Sequence, residues 1–465
     1  MQLHRRILAG LSIVLLFCCV HKLTWVLRAA RLRRIASTDV AVDEGEQSAV
    51  WNETLGFRDI FVINLYSRSD RRIAMTHAGA LSNLSFSFLK GLSPDDIPDS
   101  PRGSTNTIHE QNDKSSLSST LPAGARASWH SHMSAVQGVI ERNLASALIL
   151  EDDIDWDVRI KSQMKTFAAA ARTWLAASEA SKSRDGMREE GRSLVDDFTK
   201  EHGYSYPDSS QSHLSSSEND LDSHTSPYGN DWDVLWLGHC GADIPVPKAL
   251  QSLGGSSSAL KVVSIPNDMT VPASKHLKPH PFAHLDEFGR AYPAHTRVVH
   301  ASWYSTCSLA YAISQKGARK LVRRFNMGQK SGFGFPAQQW DIMLRDYCMG
   351  RPLDFDKERE KDGGSRSYDE YSTKSSIGSS SDERLVCLTV QPPLFSHHFA
   401  GHKGEGGGAF VSDIRGQAGG YAVGKQKQGS PYIRLSVKEN LELLAAGVPL
   451  DELVDQFPDD GEPFW

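Results

Sequence analysis

The 465-residue sequence has little charge imbalance, few cysteines and a single long apolar run. Each shortage excludes something. A formal net charge of −5 offers no basic surface on which a nucleic acid would sit. A hydrophobic content of 39% is low for a multi-span membrane protein and fits a globular body carrying polar insertions. None of the six cysteines has the spacing of a zinc knuckle. No internal repeat is visible. No retrieval signal of the Lys-Asp-Glu-Leu type separates the endoplasmic reticulum from the Golgi as a destination.

The apolar run covers residues 7–27, behind Arg5 and Arg6, and is interrupted only by His21 and Lys22. As one helix it spans about 31 Å, enough for a bilayer core. Read only to residue 20, it has the length of a signal-peptide core. No small-x-small cleavage site follows, which favours an uncleaved anchor. Arg28, Arg31, Arg33 and Arg34 follow the run and weaken a simple positive-inside argument. Two acceptor sequons, Asn52-Glu53-Thr54 and Asn83-Leu84-Ser85, suit a lumenal body. In a lumen, Cys240, Cys307, Cys348 and Cys387 can form two disulfides, with three connectivities open. The layout expected is a tail at 1–6, an anchor at 7–27, a polar stem at 28–57, a globular domain at 58–440 and a C-terminal tail at 441–465.

Within the globular domain, compact apolar runs at 59–65, 147–150, 234–237, 309–313 and 385–390 read as buried strands. Residues 129–142 carry apolar positions at 129, 133, 136, 139 and 140, which is helical spacing. A second helix follows Ser314, with apolar positions 318, 321, 322 and 325. Residues 93–120 read as a loop. Residues 180–230 and 355–384 are polar and lack apolar periodicity, so both read as mobile inserts. Strands alternating with helices imply an α/β fold with a mainly parallel sheet. In such sheets ligands bind beyond the carboxyl ends of the strands.

The run at 147–150 leads straight into Glu151, Asp152, Asp153, Asp155 and Asp157. On an extended chain, Glu151, Asp153 and Asp155 share one face. Clustered carboxylates repel unless a cation neutralises them, and hard oxygen ligands suit magnesium or manganese. A solvated acidic turn is the plainer alternative. The first strand ends at Asn64, followed by Tyr66, Arg68, Asp70, Arg71 and Arg72, a set able to hold a nucleotide and its phosphates or simply to start a solvated helix. His397, His398 and His402 follow the last strand and can complete a metal sphere. His276, His280 and His284 mimic a helical metal site, but Pro279 and Pro281 break that helix. His132, Trp129, Trp232, Trp236 and Trp303 read as core. Trp156 and Trp340, beside acids, read as platforms for a sugar face.

These segments together resemble glycosyltransferase family 25, the group of bacterial lipooligosaccharide and animal collagen galactosyltransferases, most nearly its fungal-type branch. The likeness rests on 61–65 with Arg68 to Arg72, on Trp129-His130-Ser131-His132, and on 147–157. It continues through 233–239, 307–314 with Gly317, and Asp341 in 339–343. The segments 391–394 and 412–414 close the set, collinear across roughly residues 58–440. The resemblance implies a GT-A-like, Rossmann-type sandwich, a UDP-sugar donor, a divalent metal (manganese or magnesium) and inversion at the anomeric carbon. It implies Asp153 as first metal ligand, with Glu151 assisting, and Asn64, Arg68 and Asp152 around the nucleotide; of the histidines after the last strand, His398 is the one expected to complete the sphere. Asp341, at a helix start, is implied as the base that deprotonates the acceptor hydroxyl of a glycan or glycoprotein. Ala127 and Ser128 depart from the family's Gly-Cys pair. The expectation is a single-pass type II protein of the Golgi or endoplasmic reticulum membrane. The rivals are a non-catalytic sugar- or partner-binding protein that keeps the fold, and a metal-dependent hydrolase of phosphorylated substrates.

Overall fold

The computed structural model describes residues 49–97, 121–185, 226–243, 262–278, 288–330, 338–351, 384–399 and 428–463. The expected anchor at 7–27, most of the stem, the insert at 355–383 and His280, His284 and His402 lie outside them. Among the described residues, no helix is long and apolar enough to cross a membrane.

Ten strands form one mixed sheet: β1 (Asp59–Leu65), β2 (Ser87–Gly91), β3 (Ser146–Glu151), β4 (Ile154–Trp156), β5 (Val234–Gly238), β6 (Val262–Ile265), β7 (Arg297–Ala301), β8 (Ala310–Ser314), β9 (Cys387–Gln391) and β10 (Phe395–His397). The main path runs β2-β1-β3-β8-β5-β9-β7-β6. β1 pairs parallel with β2 and β3, and β5 parallel with β9, whereas β8 is antiparallel to both β3 and β5. β7 is likewise antiparallel to β9 and β6. The sheet is therefore mixed, though only β8 and β7 run against the rest of the path. Reversing β8 has a functional consequence. It brings the loop before β8 to the same edge as the carboxyl ends of β1, β3 and β5.

Alternation along the strands sorts side chains onto two faces. Ile60, Val62, Leu148 and Leu150 enter one core together with Met75, Met164, Phe167 and Tyr228. That face is covered by α1 (Ser69–Leu81) and α3 (Ile160–Asp185). Phe61, Ala147 and Ile149 enter the other core with Trp129, Val136, Leu321 and Trp340. That face is covered by α2 (Ala123–Glu141), α4 (Gln315–Lys330) and α5 (Trp340–Cys348). The result is a three-layer α/β/α arrangement. Each fully buried large apolar side chain contributes about 1.5–3 kcal/mol relative to exposure.

α2 is where the apolar spacing placed it, with Trp129, Met133, Val136 and Val139 all buried. α4 starts directly after β8, where the Ser314 hydroxyl accepts from Gly317 N–H at 3.0 Å and caps the helix. Of the insert expected over 180–230, residues 186–225 lie outside the described residues. Its first residues continue α3, whose small and apolar side chains face the core, and its last residues hold Tyr228, fully buried and stacked on Phe57 at 4.7 Å. The segment from 428 onward is also packed, with α6 (Leu441–Ala445) against α1 and Phe457 fully buried.

Of the three disulfide connectivities, the chain uses Cys240–Cys307 and Cys348–Cys387. Ala127 is 1% exposed inside α2, and its carbonyl accepts from Ser131 Oγ at 2.8 Å. The departure at 127–128 therefore leaves no described cysteine unpaired.

Candidate active site

The carboxyl ends of β1 and β3 lie side by side, with Ile63 opposite Glu151 in the ladder. Just beyond this register, Asn64 Nδ2 donates to Asp152 Oδ2 at 2.7 Å and to the Arg68 carbonyl at 3.1 Å. Arg71, in the first turn of α1, reaches two members of the acidic triplet, Asp152 at 2.8 Å and Asp153 at 3.1 Å. Arg68, the arginine expected there, instead pairs with Asp70 at its own helix start and holds that carboxyl at about 2. Asn64, Asp152 and Asp153 thus come together, with Arg71 as the cation between them.

Glu151, Asp153 and Asp155 do not share a face. The chain turns at Asp152 and Asp153, between β3 and β4, so the extended geometry ends at Glu151. Glu151 continues the side of β3 that carries Ala147 and Ile149. Its carboxylate accepts from Ser308 Oγ at 3.0 Å and lies 3.4 Å from His132 Nε2. Asp155 is fully buried and accepts from Ser430 Oγ at 2.6 Å, from Ser436 Oγ and from the backbone N–H of Trp156. Asp157 binds Arg159 at 2.7 Å and Leu435 N–H at 3.0 Å. These last two acids pin the C-terminal segment onto β4 and are structural.

Asp153 is the acid of the turn that faces His397 and Arg71. Its Oδ1 is buried and has no hydrogen-bond partner, and His397 Nδ1 stands 3.6 Å away. Burial pushes the Asp153 carboxyl up, but His397, Arg71 and Lys438 outweigh it and hold the group below the usual carboxylate range. For Asp152 burial prevails, helped by the charge of Asp153, and the carboxyl is raised despite Arg71 and Asn64. Lys438 is lowered by burial, against the pull of Asp155, Asp153 and Asp152. Sequence reasoning missed Lys438, which no strand or motif marks.

His398, expected at the metal, turns the other way. Its Nδ1 lies 3.2 Å from Ser430 Oγ, 3.7 Å from Glu439 and 3.8 Å from Asp155, and burial lowers its pKa. Adjacent residues at a strand end point to opposite faces, and His397 is the one on the Asp153 side. His397 also lies with the sulfurs of Cys240 and Cys307 inside 4.8 Å. Those sulfurs are bonded to each other and are not thiolate ligands.

Across the crevice, α5 opens with Trp340 and Asp341. Asp341 Oδ2 accepts from Cys307 N–H at 2.9 Å. Burial raises the Asp341 carboxyl, and the nearby charge of Glu151 adds to this, against the N–H groups of Cys307 and Ile342. Trp340 is 2% exposed and stacks on His132 at 5.4 Å with 6° between the planes. Trp156 is fully buried and donates to Ser82 Oγ at 2.9 Å. Neither tryptophan is a sugar platform; both sit in the core. His132 is a core residue as expected, but its ring also touches Tyr311 and Glu151. His276 is likewise a buried core residue, its Nε2 lying 3.0 Å from the Pro458 carbonyl.

A divalent ion fits one part of this arrangement. Asp153 Oδ1 and His397 Nδ1 supply two protein ligands at a spacing that one cation can bridge, and magnesium-type ions commonly take one or two protein ligands and complete their sphere with substrate phosphates and water. Glu151 and His398 are engaged elsewhere.

Residues 57–190 match the family model for glycosyltransferase family 25 (LPS biosynthesis protein). The match spans β1 to α3 and so includes Asn64, Arg71, His132 and the acidic triplet, whereas Cys307, Asp341 and His397 lie beyond it. No curated protein matches the chain. The strand-end acids, the arginine and the asparagine all lie inside the segment that matches glycosyltransferase family 25, and that match supports a glycosyltransferase.

Proposed function

We propose that this glycosyltransferase moves a hexose, galactose before others, from a UDP-sugar to a hydroxyl of a glycan or glycoprotein, with inversion at the anomeric carbon. The observation that carries the reading is the turn after β3. There Asp153 presents a buried, unbonded carboxylate oxygen to His397, while Asp152 is held by Asn64 and Arg71. Six strands running one way on the main path, with the acids at their carboxyl ends, support a GT-A-like fold.

In this reading Asn64 and Asp152 line the nucleotide side of the crevice. Arg71, fixed between two carboxylates, places a cation beside the diphosphate. Asp153 and His397 would hold a manganese or magnesium ion, which when bound would neutralise charge gathering on the departing diphosphate. Asp341 takes the acceptor hydroxyl proton. The acceptor oxygen bonds to the anomeric carbon as the bond from that carbon to the diphosphate oxygen breaks, and the diphosphate leaves with the electron pair. Glu151, held by Ser308, borders the acceptor side. The apolar run at 7–27 supports a type II protein with this domain in the Golgi or endoplasmic reticulum lumen.

The test is donor binding. The full chain in detergent is titrated with a panel of nucleotide sugars, with and without manganese, beside Asp153→Ala and His397→Ala. The expected result is one donor bound only with manganese, and at least tenfold weaker in either variant. Binding indifferent to manganese and to both variants would remove the metal from the reading. A folded protein that binds no donor would overturn it whole.

A further inference from the structure

The two sequons lie 28 residues apart in sequence, counted from the first residue after Thr54 to the last before Asn83, yet the fold brings them into contact. Ser85 N–H donates to the Glu53 carbonyl at 2.9 Å, so the third residue of one sequon is bonded to the middle residue of the other. Both precede the parallel strands β1 and β2, at the amino ends of the sheet. The candidate active site lies at the carboxyl ends, a strand length of about 20 Å away.

Each asparagine is presented by a built turn. Asn52 is exposed, and its Oδ1 accepts from Thr54 N–H at 3.0 Å and Gly56 N–H at 2.9 Å. The Thr54 hydroxyl lies 3.2 Å from the same oxygen. Asn52 therefore spends its carbonyl on the turn, and its Nδ2 has no partner among the described residues. Val50 and Leu55, 2% and 0% exposed, anchor the segment on either side. Asn83 is exposed in the left-handed region at φ 50°, a conformation that asparagine tolerates better than most side chains, while Leu84 at 8% exposure ties the turn to the core. Both acceptor amides thus face water beside each other, on a surface that the catalytic crevice does not use.

We propose that Asn52 and Asn83 are a paired N-glycosylation site, modified in the secretory pathway and placed so that two glycans shield the amino ends of β1 and β2. The donor is an oligosaccharide carried on a lipid diphosphate. The amide Nδ2 bonds to the anomeric carbon of its first sugar and loses a proton, and the lipid diphosphate leaves with the electron pair. Edge strand β2, whose outer side is otherwise unpaired among the described residues, lies under this cover.

The experiment expresses the full chain in a eukaryotic cell and follows its mobility before and after peptide-N-glycosidase. Thr54→Ala and Ser85→Ala remove one sequon each while leaving both asparagines in their turns, and Thr54→Ser and Ser85→Thr keep the sequons. The expected result is two mobility steps for the natural sequence, one for each alanine variant, none for the double variant, and two again for the conservative variants. Donor turnover by the natural sequence should be unchanged after deglycosylation. Folded protein with no mobility step, or with a step from one sequon only, would overturn the proposal. A loss of turnover on deglycosylation with the fold intact would overturn the placement away from the crevice. None of these readouts depends on which sugar the enzyme transfers.

Discussion

Asn64 Nδ2 donates to Asp152 Oδ2 at 2.7 Å, tying the end of β1 to the first residue of the turn after β3. Both side chains are buried, Asn64 at 4% exposure and Asp152 at 6%. A carboxylate already pushed up by burial and by Asp153 needs each donor that faces it. Asn64→Ala removes one and leaves only Arg71, so stability is expected to fall by about 1–3 kcal/mol. Asn64→Asp should fall further, because a third carboxylate enters beside Asp152 and Asp153. Urea unfolding checks this through a lower midpoint at unchanged slope. Equal midpoints for both variants and the natural sequence would mean that water replaces the amide at no cost.

Asp341 is held by Cys307 N–H at one oxygen, and an asparagine can accept that bond equally well. Asp341→Asn should therefore keep the loop before β8 in place while losing the base. Turnover is expected to fall about 10²- to 10⁴-fold, with donor affinity unchanged. The pH profile carries the same information. A base works deprotonated, and burial raises this carboxyl above the usual aspartate range, so turnover should be lost as pH falls through that raised value. If the variant binds donor normally and turns over normally, the proton leaves by another group.

How far the sequence revealed this site depends on the kind of residue. β1, β3 and β5 were legible because they are continuous apolar runs buried on both faces. β7 was not, because its sequence Arg-Val-Val-His-Ala carries two polar residues. Inside the fold, Arg297 is matched by Asp268 at 2.7 Å and His300 by Gln391 at 3.0 Å. β10 has three residues, too few for any period. The acidic turn was visible in the sequence, but its partners were ambiguous between near neighbours. Arg71 reaches the triplet while Arg68 binds Asp70, and His397 faces Asp153 while His398 faces Asp155. One step along a strand changes the face, Arg68 stands at the cap of α1 while Arg71 lies within its first turn, and only the fold sets which of them reaches the acids.

Gly317 opens α4 in the only space left against the start of β5. A Cβ added there would stand 2.4 Å from the Asp233 carbonyl oxygen and 2.9 Å from its carbon. Those atoms are backbone immediately before β5, where the Asp233 carbonyl accepts from Ser314 N–H, and cannot give way as a side-chain end can. Intrinsic helix preference argues for a gain of up to about 1 kcal/mol on Gly317→Ala. Overpacking argues for a loss of about 1–3 kcal/mol, and the contact distance decides for the loss. Thermal unfolding should show a lower midpoint. A rise would mean that α4 slides away from Asp233 freely.

His300 is fully buried, and burial pushes its pKa down from 6.5 to about 4. Its Nδ1 lies 2.8 Å from the Ala301 carbonyl and its Nε2 3.0 Å from Gln391 Nε2. With Nδ1 donating to the carbonyl, Nε2 must accept from the Gln391 amide, which only the neutral ring can do. A second proton would set two donors against each other in the core. The unfolded chain therefore binds this proton more readily than the folded one. Stability from this group is complete above about pH 6.5, falls as pH drops toward 4, and changes no further below that, a difference of up to about 3 kcal/mol. His300→Leu removes the titrating ring. Urea unfolding of both proteins across pH 4.5 to 7.5 should give a gap that shifts in favour of the variant as pH falls. A constant gap would show that the ring does not change its proton affinity on folding.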